Sequence, residues 1–181
     1  MPSRHRPPEA GPSERPRPVH LIVMGVSGAG KTTVGELLAE RLGYRYAEAD
    51  EFHPPANIAK MEHGTPLGDA DRLPWLEALA EWTGRRDAEG VSTVLACSAL
   101  KRRYRDILRR GAPGVRFVHL GGSPELIRQR ITARKGHFMP AGLLDSQLRD
   151  LEPLGADEDG VTVDVGPGPE EITDKVIAKL R

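Results

Sequence analysis

Lys31 and Thr32 are the residues whose types and spacing point most directly to chemistry. They end the run Gly25-Val26-Ser27-Gly28-Ala29-Gly30-Lys31-Thr32-Thr33, a G-x-x-x-x-G-K-T pattern. Glycines in such a run let the backbone curl until successive N–H groups point at phosphate oxygens. Lys31 then supplies a charge for the β and γ phosphates of a nucleotide, and the Thr32 hydroxyl is placed to ligate Mg²⁺. An ordinary Gly-rich turn is the alternative. The apolar run before the glycines and the helical run after them are the context that phosphate binding requires, and the helix adds its positive N-terminal end.

Three further groups carry chemistry. Asp50 follows a short stretch that reads as a strand and precedes Glu51-Phe52-His53-Pro54-Pro55; it is a site candidate by position, or a helix N-cap, and both roles are compatible. Lys101 and Arg105 lie four apart in Ser98-Ala99-Leu100-Lys101-Arg102-Arg103-Tyr104-Arg105, so both side chains can aim at one anion, unless the cluster is solvated surface charge. Arg130 and Arg134 repeat that spacing just before Lys135-Gly136-His137-Phe138-Met139-Pro140. Two forked guanidiniums ending at a glycine hinge suit a mobile lid over about residues 131–145 that brings positive charge to phosphates, the alternative being a basic outer helix face.

The elements that must position these groups alternate. Val19 to Met24 reads as a nearly continuous apolar strand, as when helices cover both faces of a parallel sheet. A helix with Val34, Leu37, Leu38 and Leu42 at helical spacing follows and stops at Gly43. Tyr44–Ala49, Ser92–Cys97, Val115–Leu120 and Val161–Val165 are the further strands. Pro54 or Pro55 opens a helix, while 57–73 reads as a polar, irregular insertion suited to substrate contact. Asp71 is expected to cap a helix with Pro74 in its first turn and Trp75, Leu76, Leu79 and Trp82 as its buried stripe. Ser123 and Pro124 start another helix, 143–151 forms one more, and Gly168-Pro169-Glu170 begins the last, with stripe Ile172, Val176, Ile177 and Leu180. The fold class is α/β: a five-stranded parallel sheet with helices on both faces.

Residues 1–18 hold six prolines and four arginines, and with almost no apolar side chains they read as a disordered tail. Residues 19–181 are one domain, a size that buries roughly 70% of the unfolded surface. Lys plus Arg and Asp plus Glu both number 26, so no overall field argues for nucleic acid. The single cysteine, Cys97, excludes an intrachain disulfide framework and reads as a small hydrophobe in a strand. With no run near the roughly 18 apolar residues of a membrane span and no signal-peptide core, the expectation is a cytoplasmic protein without membrane partners.

The phosphate loop alone leaves GTPase, motor-type ATPase and small-molecule kinase open. The N-K-x-D base-reading motif of a GTPase is absent, and the D-x-x-G at Asp157 to Gly160 precedes a strand instead of following one. No acidic residue ends the strand at Cys97-Ser98, as a motor-type ATPase would require. A basic lid suits a kinase, which must exclude water so that the phosphoryl group reaches its acceptor.

Five blocks together resemble the gluconokinases of the shikimate kinase and adenylate kinase group: the loop at 25 to 33, A-D-E-F-H-P-P-A-N at 49 to 57, K-M-x-x-G-x-P-L-x-D-x-D-R-x-P-W-L at 60 to 76, C-S-A-L-K-R-R-Y-R-D at 97 to 106, and R-K-G-H-F-M at 134 to 139. A shikimate kinase would show a glycine triplet where this chain has Ser98-Ala99-Leu100. The resemblance implies a P-loop kinase that uses ATP and Mg²⁺ to phosphorylate the terminal hydroxyl of D-gluconate, as a homodimer. Lys31 and Thr32 then hold phosphate and metal, Asp50 takes the acceptor's proton, and Arg130 and Arg134 neutralise the spreading charge. His53, Arg72, Ser98, Lys101, Arg105 and His137 are the candidates for an anionic polyol. The alternatives are another small-molecule kinase, such as a shikimate kinase, and a non-catalytic nucleotide-binding module.

Overall fold

The computed structural model describes residues 16–133 and 141–181. Its strands are β1 (His20–Met24), β2 (Arg45–Glu48), β3 (Thr93–Ala96), β4 (Val115–Gly121) and β5 (Gly160–Asp164). They pair in the order β2-β3-β1-β4-β5, and every pairing is parallel. The helices are α1 (Lys31–Leu42), α2 (Pro55–Glu62), α3 (Asp69–Ala88), α4 (Arg102–Arg109), α5 (Pro124–Ala133), α6 (Ala141–Asp150) and α7 (Pro169–Leu180), with a 3-10 turn at Ala49–Phe52. The expected five-stranded parallel sheet is present, with every strand limit within one residue of that read in the sequence.

Period-two alternation sends successive side chains of a strand to opposite faces, and in β1 both sets are apolar and buried. Leu21 and Val23 join Val34 and Leu38 of α1 and Ile172 and Val176 of α7 in one cluster. Ile22 and Met24 join Trp75, Leu76 and Leu79 of α3 and Tyr104 and Leu108 of α4 in another. The sheet is therefore sandwiched, which is why its central strand reads as an unbroken apolar run. A third, smaller cluster of Val26, Leu100, Ile127 and Leu144 lies where the loops after β1 and β3 meet α5 and α6. Among the described residues no helix is long and apolar enough to cross a membrane.

Two sequence expectations change. The helix expected to open at Pro54 or Pro55 is present and starts at Pro55, which supplies the fixed φ of a first helical position. It runs on to Glu62, into the span from 57 that reads as irregular in the sequence, and the polar composition hid that extent because Asn57 is the residue the helix buries. Helix α3 starts at Asp69, with Gly68 as its N-cap. Asp71 therefore supports the start from inside, accepting the Gly68 N–H at 2.9 Å, and Pro74 falls in the second turn, where it deletes one backbone hydrogen bond.

Candidate active site

Helix α1 begins at Lys31, so the amides of Lys31, Thr32 and Thr33 form its open N-terminal turn, a site that attracts anions. The loop before it is pinned on several sides. The Gly25 N–H donates to the Ser98 carbonyl at 3.3 Å, and Val26 and Ala29 are buried. Gly28 has φ +84°, and a Cβ there would lie 2.5 Å from Cγ1 of Ile131 on α5. Only glycine fits that conformation and that approach. The Lys31 ammonium donates to the carbonyls of Gly25 at 3.0 Å and Val26 at 3.1 Å, which arches it across the loop mouth.

The Thr32 hydroxyl donates to Oε1 of Glu48, which also accepts from the Tyr46 hydroxyl at 2.6 Å. Tyr46 and Glu48 are two apart on β2 and so share a face. The Tyr46 ring comes so close to α1 that a Cβ on Gly35 would lie 2.9 Å from its Cε2. Burial first, and then the Glu48 carboxylate, push the Tyr46 phenol well above its ordinary range, keeping it a hydrogen-bond donor. Glu48 was missed in the sequence; its signal was the alternation with Tyr46 and the two-residue spacing to Asp50. An acid is thus present beside the Thr32 hydroxyl, supplied by β2 instead of β3.

For Mg²⁺ the residues fit. A threonine hydroxyl with Glu48 and Asp50 nearby in sequence is a hard, all-oxygen donor set, and this ion is ordinarily held by one or two protein oxygens plus substrate phosphates and water. Among the described residues no cluster of three His, Cys, Asp or Glu side chains forms a ready-made metal cage, in keeping with such sparse ligation.

Asp50 sits exposed on the 3-10 turn that extends β2. The turn is fastened from below: the Trp75 indole N–H donates to the Ala49 carbonyl at 2.7 Å, and the His53 ring stacks on Trp75 with centroids 4.2 Å apart. The Asn57 amide donates to the Asp71 carbonyl at 2.8 Å and to Nδ1 of His53 at 3.3 Å. Nδ1 being the acceptor, the neutral imidazole carries its proton on Nε2. Burial lowers the His53 pKa, Asp50 opposes that and Arg72 adds to it, so the ring is neutral near pH 7.

The basic candidates separate. Arg72 and Lys101 meet around Tyr104: the Arg72 guanidinium donates to the phenol oxygen at 3.2 Å, and both cations lie within 6 Å of the ring centroid, at 5.6 and 5.8 Å. The Tyr104 hydroxyl in turn donates to Asp69 at 2.5 Å. Arg105 points the other way and is corrected here. It is 0% exposed, and its guanidinium donates to both carboxylate oxygens of Glu158 at 2.8 and 3.1 Å, to the carbonyls of Ala99 and Leu100 at 2.9 and 3.2 Å, and to that of Pro153 at 3.3 Å. Every donor direction is used within the protein, so Arg105 cannot pair with Lys101 on a ligand anion. It instead holds the turn after β3, where Ala99 adopts a left-handed φ of 44°. Burial alone would raise the Glu158 pKa, but Arg105 and the Gly155 N–H bring it below the usual carboxylate range.

Ser98 is half-buried beside the phosphate loop. Arg130 lies on α5, and its recorded hydrogen bonds are long ones, 3.4 Å, to the carbonyls of Gly166 and Pro167 between β5 and α7; the structure does not bring it onto the loop. Arg134 and His137 fall outside the described residues, as does the stretch 134–140 of the expected lid. Cys97 is buried and its thiol is pushed up to about 12 by that burial, which suits the packing role expected for it.

Comparison with known proteins agrees with this geometry. A family model described as an AAA domain matches residues 21–154. The gluconokinase of Gluconobacter oxydans is 47% identical over 161 residues, spanning 89% of this chain and 90% of that protein. Among solved structures, a sugar kinase from a Janibacter species gives a TM-score of 0.85 at 52% identity, covering 90% of this chain and 94% of the other. A gluconokinase from Sinorhizobium meliloti gives 0.81 at 48%, covering 92% and 93%. With such identity sustained along nearly the whole of both chains, this protein belongs to the gluconokinase family.

Proposed function

We propose that this chain transfers the γ-phosphoryl group of ATP to the terminal hydroxyl of D-gluconate, giving 6-phosphogluconate. One observation carries the reading from the structure: the phosphate loop after β1 and the Asp50 turn after β2 open at the same end of one parallel sheet. They are tied to each other by the Thr32–Glu48 hydrogen bond. Donor and acceptor are thereby held side by side, which is most of what phosphoryl transfer asks of a protein.

The loop amides and Lys31 take the β and γ phosphates, and Thr32, oriented by Glu48, holds Mg²⁺. When bound, that ion neutralises phosphate charge and fixes the phosphate oxygens. Asp50 orients the acceptor hydroxyl and accepts its proton as the new bond forms. Arg72 and Lys101, gathered at Tyr104, are assigned to the acceptor's carboxylate, with Nε2–H of His53 and the Ser98 hydroxyl for its polyol. Arg130, Arg134 and His137 enter only as sequence-based assignments, the arginines to spreading phosphate charge and the histidine to the acceptor. A cytoplasmic homodimer belongs to the same proposal.

A coupled ADP-release assay with a panel of acceptors tests it. D-gluconate should stimulate ATP turnover by several orders of magnitude over the acceptor-free rate, with shikimate and neutral hexoses inert. Stimulation by shikimate instead would transfer the assignment to a different kinase. Tight ATP binding without stimulation by any acceptor would reduce the protein to a nucleotide-binding module.

A further inference from the structure

Helix α6 carries a polar residue in an apolar stripe. Leu144, Leu148 and Leu151 recur at helical spacing, Leu144 buried and the others partly so, against Val26, Leu100 and Ile127. Gln147 falls in the same stripe, three residues after Leu144 and four before Leu151. A carboxamide there gives up hydration and needs a compensating partner. It has one from 120 residues away: Oε1 of Gln147 accepts the Ser27 backbone N–H at 2.7 Å. The orientation of the amide is settled by chemistry, since only its oxygen can accept from an N–H.

Ser27 lies within the phosphate loop, next to the glycine that Ile131 approaches from α5. The loop is therefore gripped on one side by α5 through an apolar contact and on the other by α6 through a hydrogen bond. The end of α6 is fixed in turn, because the Glu152 N–H donates to the Leu100 carbonyl at 2.7 Å.

We propose that Gln147 is a positioning residue for the nucleotide's phosphates. By holding the Ser27 peptide it sets the curl of the loop before a ligand arrives, so that the amides from Gly28 to Thr32 need no reordering to receive phosphate. Preorganisation of this kind shows as affinity. The inference rests on the loop binding a nucleotide, as in the reading above, and is independent of which acceptor is phosphorylated.

Two variants of the full chain test it without using turnover alone. Gln147→Leu keeps the bulk and the apolar stripe but removes the acceptor; Gln147→Glu keeps an acceptor oxygen. In Gln147→Leu, the dissociation constants of ATP and ADP, measured by calorimetry without any acceptor, should both rise about tenfold, the upper range for one neutral hydrogen bond. The KM for D-gluconate should stay within about twofold, because the acceptor side is untouched. In nucleotide-free protein the Ser27 amide should lose its hydrogen-bonded proton shift and exchange faster in Gln147→Leu, and keep both in Gln147→Glu. Nucleotide affinity within about twofold of the parent, equal weakening of nucleotide and gluconate, or a Ser27 amide indifferent to both changes would each overturn the proposal. A protein that binds ATP normally but ignores gluconate would refute the acceptor assignment and leave this inference standing.

Discussion

Two carboxylates two residues apart, Glu48 and Asp50, are given different work by what surrounds them. Glu48 is engaged by the Thr32 and Tyr46 hydroxyls, while the Asp50 side chain is exposed and makes no hydrogen bond to another described residue. A carboxylate occupied by two donors has fewer lone pairs left to take a proton than one that is exposed and unoccupied. Asp50→Asn is therefore expected to lower kcat by about 10²- to 10⁴-fold, the usual range for loss of a general base, and to leave the ATP dissociation constant within about threefold. Steady-state kinetics with direct ATP binding checks this, and near-normal turnover would remove Asp50 as the base. Lys31, Thr32 and Asp50 were legible because their meaning lies in adjacent residues and in strand ends. Glu48 and Gln147 were not, since each acts through a partner that only folding brings near.

At the scale of elements, the loops after β1, β2 and β3 are each held by a side chain from another element: Gln147, Trp75 and Arg105 respectively. The last shows why helical spacing misled. Lys101 and Arg105 are four apart, but Lys101 is the N-cap of α4 and Arg105 belongs to its buried face. Only Glu158, 53 residues later, determines that a guanidinium can be buried there. Breaking such a pair by removing one partner typically costs about 3–5 kcal/mol; here Arg109, which also donates to Glu158 at 2.8 Å, stays beside the carboxylate and holds the loss toward the lower end. Arg105→Met should show a loss of that order in urea denaturation, and adding Glu158→Leu should recover much of it. A gluconate-specific KM defect in a fully stable Arg105→Met protein would instead restore Arg105 to the acceptor pocket. The sheet was readable because apolar runs and turn residues are local signals; the start of α2 was readable from its prolines, but its extent was not, because the residue it buries is an asparagine.

For the whole molecule, charge and burial set how stability responds to pH. Burial, and then the nearby Arg105, lower the pKa of His119 at the end of β4 from its ordinary 6.5, and burial lowers that of His53. The unfolded chain binds these protons near pH 6.5 while the native protein still excludes them. Stability present above that pH is therefore lost as pH falls through the window below it. The carboxylates of Asp69, Asp71, Asp157 and Glu158 are shifted downward, so they titrate below the same window. The unfolding free energy should accordingly drop between about pH 7.5 and 5.5, and His119→Gln should flatten part of that slope. Equal slopes in chemical denaturation at matched pH values would show that His119 is not a source.

The Arg105–Glu158 pair also bears on how the chain acquires its shape during synthesis. Arg105 is made 53 residues before its partner, which lies just ahead of the edge strand β5. Until then an N-terminal portion can collapse on β1, β3 and β4, but it must either leave the guanidinium in water or bury it unmatched. The guanidinium that secures the turn at Ala99 gains its matching carboxylate only once Glu158 has been made. A fragment that stops short of Glu158 should therefore hold that turn more loosely than a chain that includes it.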